Sequence, residues 1–158
     1  MQAGDLVLVA IPLKSISDLD PAPFAGKIVI DANNYYPQRD GQIAALDEES
    51  TTTSELLQAH LADAKVVKAL NHIYAAQILT TARPAGAPGR RALVVAGDDQ
   101  SAKDKVAAFI DAIGFDVLDL GRLSEGWRIQ RDTPGYTRER DIAGLKADVA
   151  AAQRYRDM

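Results

Sequence analysis

Amides and one imidazole collect where apolar runs give way to turn residues. The run Leu6–Ile11 leads into Pro12-Leu13-Lys14, and Lys27–Ile30 leads into Asp31-Ala32-Asn33-Asn34-Tyr35-Tyr36-Pro37. Lys65–Leu70 leads into Asn71-His72, and Ala92–Ala96 into Gly97-Asp98-Asp99. An asparagine side chain offers a donor and an acceptor together, which suits a carboxamide or ribose hydroxyls better than proton transfer. No activated nucleophile and no paired acid and base stand out, so no catalytic side chain is assigned. Turn building alone often places Asn, Asp and Pro after strands. Asp98-Asp99 are expected to cap the next helix and complement its dipole. Recurrence of amides after neighbouring strands is what points to a ligand.

Composition narrows the chemistry. Against 22 Asp and Glu stand 18 Lys and Arg, a net charge of −4 with a pI near 5.1, so neither nucleic acid nor an anionic membrane is expected as partner. The absence of cysteine removes disulfides, thiolate zinc sites, iron–sulfur clusters and thiol nucleophiles. His60 and His72 fit no metal-ligand spacing, and no metal is expected. The early apolar run Leu6–Ile11 is far short of the roughly 20 residues of a membrane span. It also lacks the flanks of a signal peptide, which gives a cytoplasmic expectation.

The elements that must position these amides follow from periodicity. Five apolar runs without polar alternation, the fifth being Asp116–Leu120, read as strands covered on both faces. Between them, Gln100 to Ile113 places Val106, Phe109, Ile110 and Ile113 on one helical face, with Gly114 as its stop. Thr52-Thr53-Ser54-Glu55 has the form of a capping box, opening a helix that closes before Asp63 with Leu56, Leu57 and Leu61 on one side. A weaker helical pattern spans Ile73–Thr81, and a last helix is expected over 138–155. The 83–89 stretch, with two prolines and two glycines, is an exposed connection. The chain of 158 residues is therefore expected to be one α/β domain, a mostly parallel sheet of about five strands with flanking helices. In such sheets ligands sit beyond the carboxyl ends of the strands.

A series of segments, in order, resembles one family. Val9-Ala10-Ile11-Pro12-Leu13-Lys14, the stretch from Gly26 to Gly41, Ser54-Glu55-Leu56-Leu57 and Val66-Val67-Lys68-Ala69-Leu70-Asn71 open the match. Ala96-Gly97-Asp98-Asp99 and Leu123-Ser124-Glu125-Gly126-Trp127-Arg128 continue it. Together they are similar to the NADPH-dependent deazaflavin (coenzyme F-420) reductase-like oxidoreductases, Rossmann proteins that pass hydride between nicotinamide and a stacked ring. The resemblance implies that Ile11, Pro12 and Leu13 lie along the cofactor, Asn33 and Asn34 near the nicotinamide ribose, and Asn71 and His72 beside the ring. It implies NADP as cofactor and a deazaflavin or flavin as hydride acceptor. Leu70 and His72 stand where the family more often has Phe and Asn.

The G-x-G-x-x-G turn that cradles a pyrophosphate is absent from the sequence. The chain is accordingly expected to correspond to the part after the glycine-rich βαβ half, and to bind NADPH weakly or undetectably as written. The alternative is a non-catalytic, oligomerising module: the first strand would expose an apolar edge, and a homo-oligomer would cover it. Trp127 either fills the core or covers a ring ligand. A phosphoryl-receiver reading fails because no acidic pair follows the first strand.

Overall fold

A computed structural model describes residues 4–154. The five runs are strands: β1 Leu6–Val9, β2 Ile28–Asp31, β3 Lys65–Ala69, β4 Ala92–Gly97 and β5 Asp116–Asp119. They form one sheet in the order β1-β2-β3-β4-β5. The β1–β2, β2–β3 and β4–β5 pairs are parallel, whereas β3 and β4 run antiparallel with Val67 opposite Gly97. The fold is Rossmann-like α/β with a mostly parallel sheet.

The antiparallel pair decides where the polar strand ends go. The helix after β3, Ala75–Thr80, has six residues, and the chain then returns to the end of the sheet it left. The carboxyl ends of β1, β2 and β3 therefore share one rim. Asp98-Asp99 lie at the opposite edge, where Asp99 pairs with Lys65 at the start of β3 at 2.8 Å. The Lys65 ammonium, with the Ser101 hydroxyl and the Ala102 amide, holds the Asp99 carboxyl well below the usual range.

Among the described residues six α-helices accompany the sheet: α1 Pro37–Asp40, α2 Ala44–Asp47, α3 Thr53–His60, α4 Ala75–Thr80, α5 Gln100–Ala112 and α6 Ile142–Ala150. The α3 capping box is formed, with the Glu55 amide donating to Thr52 Oγ1 at 3.2 Å and the Thr52 amide to Glu55 Oε2 at 2.8 Å. Asp99 caps α5 through the Ala102 amide at 2.8 Å. Asp141 caps α6 through Gly144 at 2.8 Å, so that helix starts at Ile142, later than the expected 138. Tyr155, its expected end, lies outside the described residues. The 73–81 pattern contracts to α4 because Ile73 turns into the core before the helix begins.

Side-chain alternation along the strands divides the core between two faces. Ile28, Ile30, Val67, Leu93 and Val95 pack beneath Ala102, Val106 and Ile110 of α5. Val9, Val29 and Val66 face Leu57 and Leu61 of α3, while Ala92 and Val94 face Leu145 and Val149 of α6. Phe109, expected on the buried stripe of α5, is 38% exposed. Three short 3-10 helices, Leu13–Asp18, Ala22–Phe24 and Leu123–Ile129, together with α1 and α2, complete the described chain.

Candidate functional site

The rim is built on a buried ion pair. Asp31, the last residue of β2, and Lys68 of β3 pair at 3.2 Å with both side chains essentially out of solvent. Asp31 also accepts the Ser54 hydroxyl at 2.5 Å and the Asn33 amide at 2.9 Å. Lys68 Nζ donates further to the Asn33 carbonyl and to Thr53 Oγ1. Burial pushes the Lys68 ammonium below its ordinary value, and the Asp31 charge opposes that shift. The network leaves no donor of Lys68 idle and fixes the backbone on which the asparagines stand.

Three asparagines then join three strand ends. Asn33 Oδ1 accepts the Ile11 amide at 2.8 Å, stapling the end of β1 to that of β2. Asn34 Nδ2 donates to the Asn71 carbonyl at 2.8 Å, and Asn71 Nδ2 donates to Asn34 Oδ1 at 3.1 Å and to the Ile129 carbonyl at 3.0 Å. Two buried amide atoms find no hydrogen-bond partner among the described residues: Asn33 Nδ2, a donor, and Asn71 Oδ1, an acceptor. A buried polar atom left so costs about 1–3 kcal/mol unless a ligand or water meets it.

Two clefts of about 310 Å³ each open beside this rim and share Asn34 as a wall. The first, here the strand-end cleft, is bounded by Leu8, Ala32, Asn71 and Ile73, with Tyr36, Tyr74 and Tyr136 around it. The Tyr36 and Tyr136 hydroxyls are 2.6 Å apart, and burial with that contact raises the Tyr136 phenol above its ordinary value. The second, the lysine cleft, has Lys68 and Thr53 among its lining residues, together with Tyr35, Glu49, Arg131 and Arg154. Backbone strain gathers at both. Among the described residues four non-glycine ones adopt left-handed φ: Leu70 (62°) and Thr137 (59°) on the strand-end cleft, Glu49 (54°) on the lysine cleft, and Asp132 (70°) next to Arg131. Such conformations cost on the order of 1–3 kcal/mol each and concentrate where function requires them.

Of the seven residues singled out from sequence, Asn34 and Asn71 line the strand-end cleft. Asn33 lies behind it, 2% exposed. Ile11 is half-buried, Pro12 is exposed at the start of the 13–18 helix, and Leu13 is buried in the core with Val9 and Ile16. His72 is fully buried, and its Nε2 accepts the Val94 amide at 3.1 Å. Burial first, then the Arg91 and Lys68 charges, lower its pKa to about 3 against a weaker upward pull from the Gly135 backbone, so the ring is neutral. That imidazole serves the sheet. His60 likewise bonds the Leu19 carbonyl at 2.8 Å. Tyr35 is engaged in packing its own segment, through Asp47 at 2.9 Å and the Ile43 amide at 2.9 Å. Trp127 is half-buried rather than core, and the guanidinium groups of Arg128 and Arg154 stand 4.5 and 4.9 Å from its ring centre. The residues that sequence reasoning missed, Tyr136, Arg131 and Arg154, come from irregular segments near the carboxyl end, and no local pattern marks them.

No protein-family model matches the chain. Among solved structures, the hypothetical protein SMa0349 of Sinorhizobium meliloti superposes with a TM-score of 0.70 at 31% identity, covering 87% of this chain and 67% of that one. The chain belongs to the SMa0349 family. A candidate F420-dependent NADP reductase from Arthrobacter sp. FB24 superposes with a TM-score of 0.62, also at 31% identity, over 77% of this chain. Within the curated proteins, 53 residues are 40% identical to the protein YjhV of Escherichia coli (strain K12). The chain covers 57% of the Arthrobacter protein, and the matched segment 39% of YjhV. This chain thus shares a Rossmann-like fold with the Arthrobacter protein. No described helix is long and apolar enough to cross a membrane.

Proposed function

We propose that this chain carries the nicotinamide end of an NADP(H) site in an oxidoreductase, with a deazaflavin or flavin-type ring as hydride acceptor. One observation carries the reading: Asn71 Oδ1, buried and without a partner among the described residues, on a cleft whose other walls are largely apolar. A nicotinamide carboxamide brings the N–H that this oxygen lacks, and its flat ring suits the Leu8, Ala32 and Ile73 surface. NADPH, when bound, supplies a hydride. The protein's part is alignment: Asn71 holds the carboxamide, Asn34 fixes Asn71, the Lys68–Asp31 pair fixes the strand end, and the apolar walls exclude water. Such a division of labour needs no acid–base pair. The resemblance to the F-420 reductase-like family and the 31% identity to the Arthrobacter protein support the choice of cofactor. Phosphate anchoring is the part of the site that no glycine-rich turn in this sequence supplies.

The test is a fluorescence titration with NADPH of the wild type and of Asn71→Leu, beside a version extended upstream to include any encoded glycine-rich segment. The proposal expects binding by the extended protein and a loss of tenfold or more in Asn71→Leu, each tenfold being about 1.4 kcal/mol. Equal binding by the variant contradicts it. A second reading, self-association, draws on β1, which pairs only with β2 among the described strands and leaves Leu8 53% exposed. Light scattering across a dilution series decides it, since a monomer at every concentration excludes that role.

A further inference from the structure

The Tyr36 and Tyr136 hydroxyls meet at 2.6 Å from positions 100 residues apart in the chain. Two hydroxyls carry two hydrogens, and the bond between them uses one. Neither oxygen has a further partner among the described residues, so one phenolic hydrogen is left without an acceptor there. Both tyrosines are half-buried and line the strand-end cleft. Both are also held in place. The Tyr36 ring centre lies 4.9 Å from the Arg39 guanidinium and 5.5 Å from that of Arg131, and the Tyr36 amide donates to Asp40 Oδ2 at 3.1 Å. Tyr136 precedes Thr137, at φ 59°, just as Asn71 follows Leu70, at φ 62°, so a strained residue adjoins each. Burial, then the contact with Tyr36, raises the Tyr136 phenol, which keeps it protonated and a donor at neutral pH.

The cleft therefore presents an acceptor, Asn71 Oδ1, and a donor, the remaining phenolic hydrogen. A primary carboxamide is the complement of that pair, since its N–H suits the first and its carbonyl oxygen the second. We infer that the tyrosine pair is the second half of a carboxamide-recognition site, donating to the carbonyl oxygen of the group whose N–H meets Asn71. The inference rests on the nicotinamide reading above and adds a specificity to it. A carboxylate in place of the amide brings no N–H to Asn71 Oδ1, and a weaker acceptor in place of the carbonyl leaves the phenolic hydrogen unmet. A site built on two such hydrogen bonds discriminates against analogues that lack either one.

The experiment compares two ligands by ligand-observed NMR: reduced nicotinamide mononucleotide and its thioamide counterpart, which keeps the amide N–H groups but offers sulfur, a weak acceptor, in place of oxygen. Both are titrated into the wild type, Tyr36→Phe, Tyr136→Phe and the double variant, with folding checked by circular dichroism. The wild type is expected to bind the amide about fivefold or more tighter than the thioamide, and the double variant to bind the two alike. The single variant that loses the preference identifies the tyrosine in contact, because the other hydroxyl then only supports it. Loosening of the cleft would weaken both ligands together, so the ratio of the two affinities reads the hydrogen bond itself. A wild type without the preference, a preference that persists in the double variant, or an equal weakening of both ligands there overturns the inference and leaves the nicotinamide reading standing. No binding of the amide by the wild type overturns both.

Discussion

Asn34 and Asn71 bind each other reciprocally, side chain to main chain at 2.8 Å and side chain to side chain at 3.1 Å, across the carboxyl ends of β2 and β3. This clasp spends both amide hydrogens of Asn71, since the second goes to Ile129, and leaves its side-chain oxygen Oδ1 without a partner among the described residues beside the strand-end cleft. Asn34→Ala should therefore weaken nicotinamide binding by releasing Asn71. The expected loss is about tenfold, one charge-neutral hydrogen bond's worth, with thermal stability lowered by about 1 kcal/mol. Parallel ligand titrations and urea melts check it, and an unchanged affinity would mean that the clasp does not orient Asn71.

The buried pair beneath the rim makes a sharper prediction. Lys68→Met strands the Asp31 carboxylate, which is 0% exposed, and should destabilise by about 3–5 kcal/mol. Adding Asp31→Asn should restore much of that loss, because the penalty lies in the unpaired charge. Urea unfolding of the two single variants and the double completes the cycle.

His72 sets a pH dependence. Its folded pKa of about 3 lies below the ordinary 6.5, so between those values the unfolded chain binds the extra proton. Stability attributable to this ring is then fully present above pH 6.5 and falls as the pH drops towards 3. By pH 5 the loss is about 2 kcal/mol. Urea melts at pH 7 and pH 5 measure it, and His72→Asn should flatten the difference between them even if the variant is less stable throughout.

The sequence made much of this visible and hid the rest for physical reasons. Strands and the α3 and α5 helices are encoded locally, by continuous apolar runs, by Thr52 with Glu55, and by Asp99 before Gln100. The orientation of β4 is not encoded locally, because a six-residue α4 returns the chain to the end it left and no residue pattern announces that. Asn34 and Asn71 were legible as cleft residues because amides recur at the ends of neighbouring strands, more often than turn building alone explains. Leu13 and His72 looked alike in sequence and are buried, the first in the apolar core and the second bonded to the sheet. Arg154 lies 120 residues beyond Asn34 on the same cleft, a distance at which local reading has no purchase.

Gly114 tests the packing of α5 against the 83–89 connection. It sits at φ 105°, and a Cβ there would meet the Ala82 Cβ at 2.7 Å. Gly114→Ala should cost about 2 kcal/mol or more, combining a left-handed backbone with overpacking. Chemical denaturation gives the value, and a loss under about 0.5 kcal/mol, the range of neutral surface changes, would show that the Ala82 segment yields freely.

The Asn71 Oδ1 contact is tested with the nicotinamide half of the cofactor alone. Reduced nicotinamide mononucleotide, which needs no pyrophosphate cradle, is titrated into the protein with ligand-observed NMR, beside adenosine monophosphate. Saturation transfer is expected to the nicotinamide ring protons and not to adenine, with loss of the signal in Asn71→Leu. Transfer to adenine alone, or a nicotinamide signal that survives in Asn71→Leu, would contradict it.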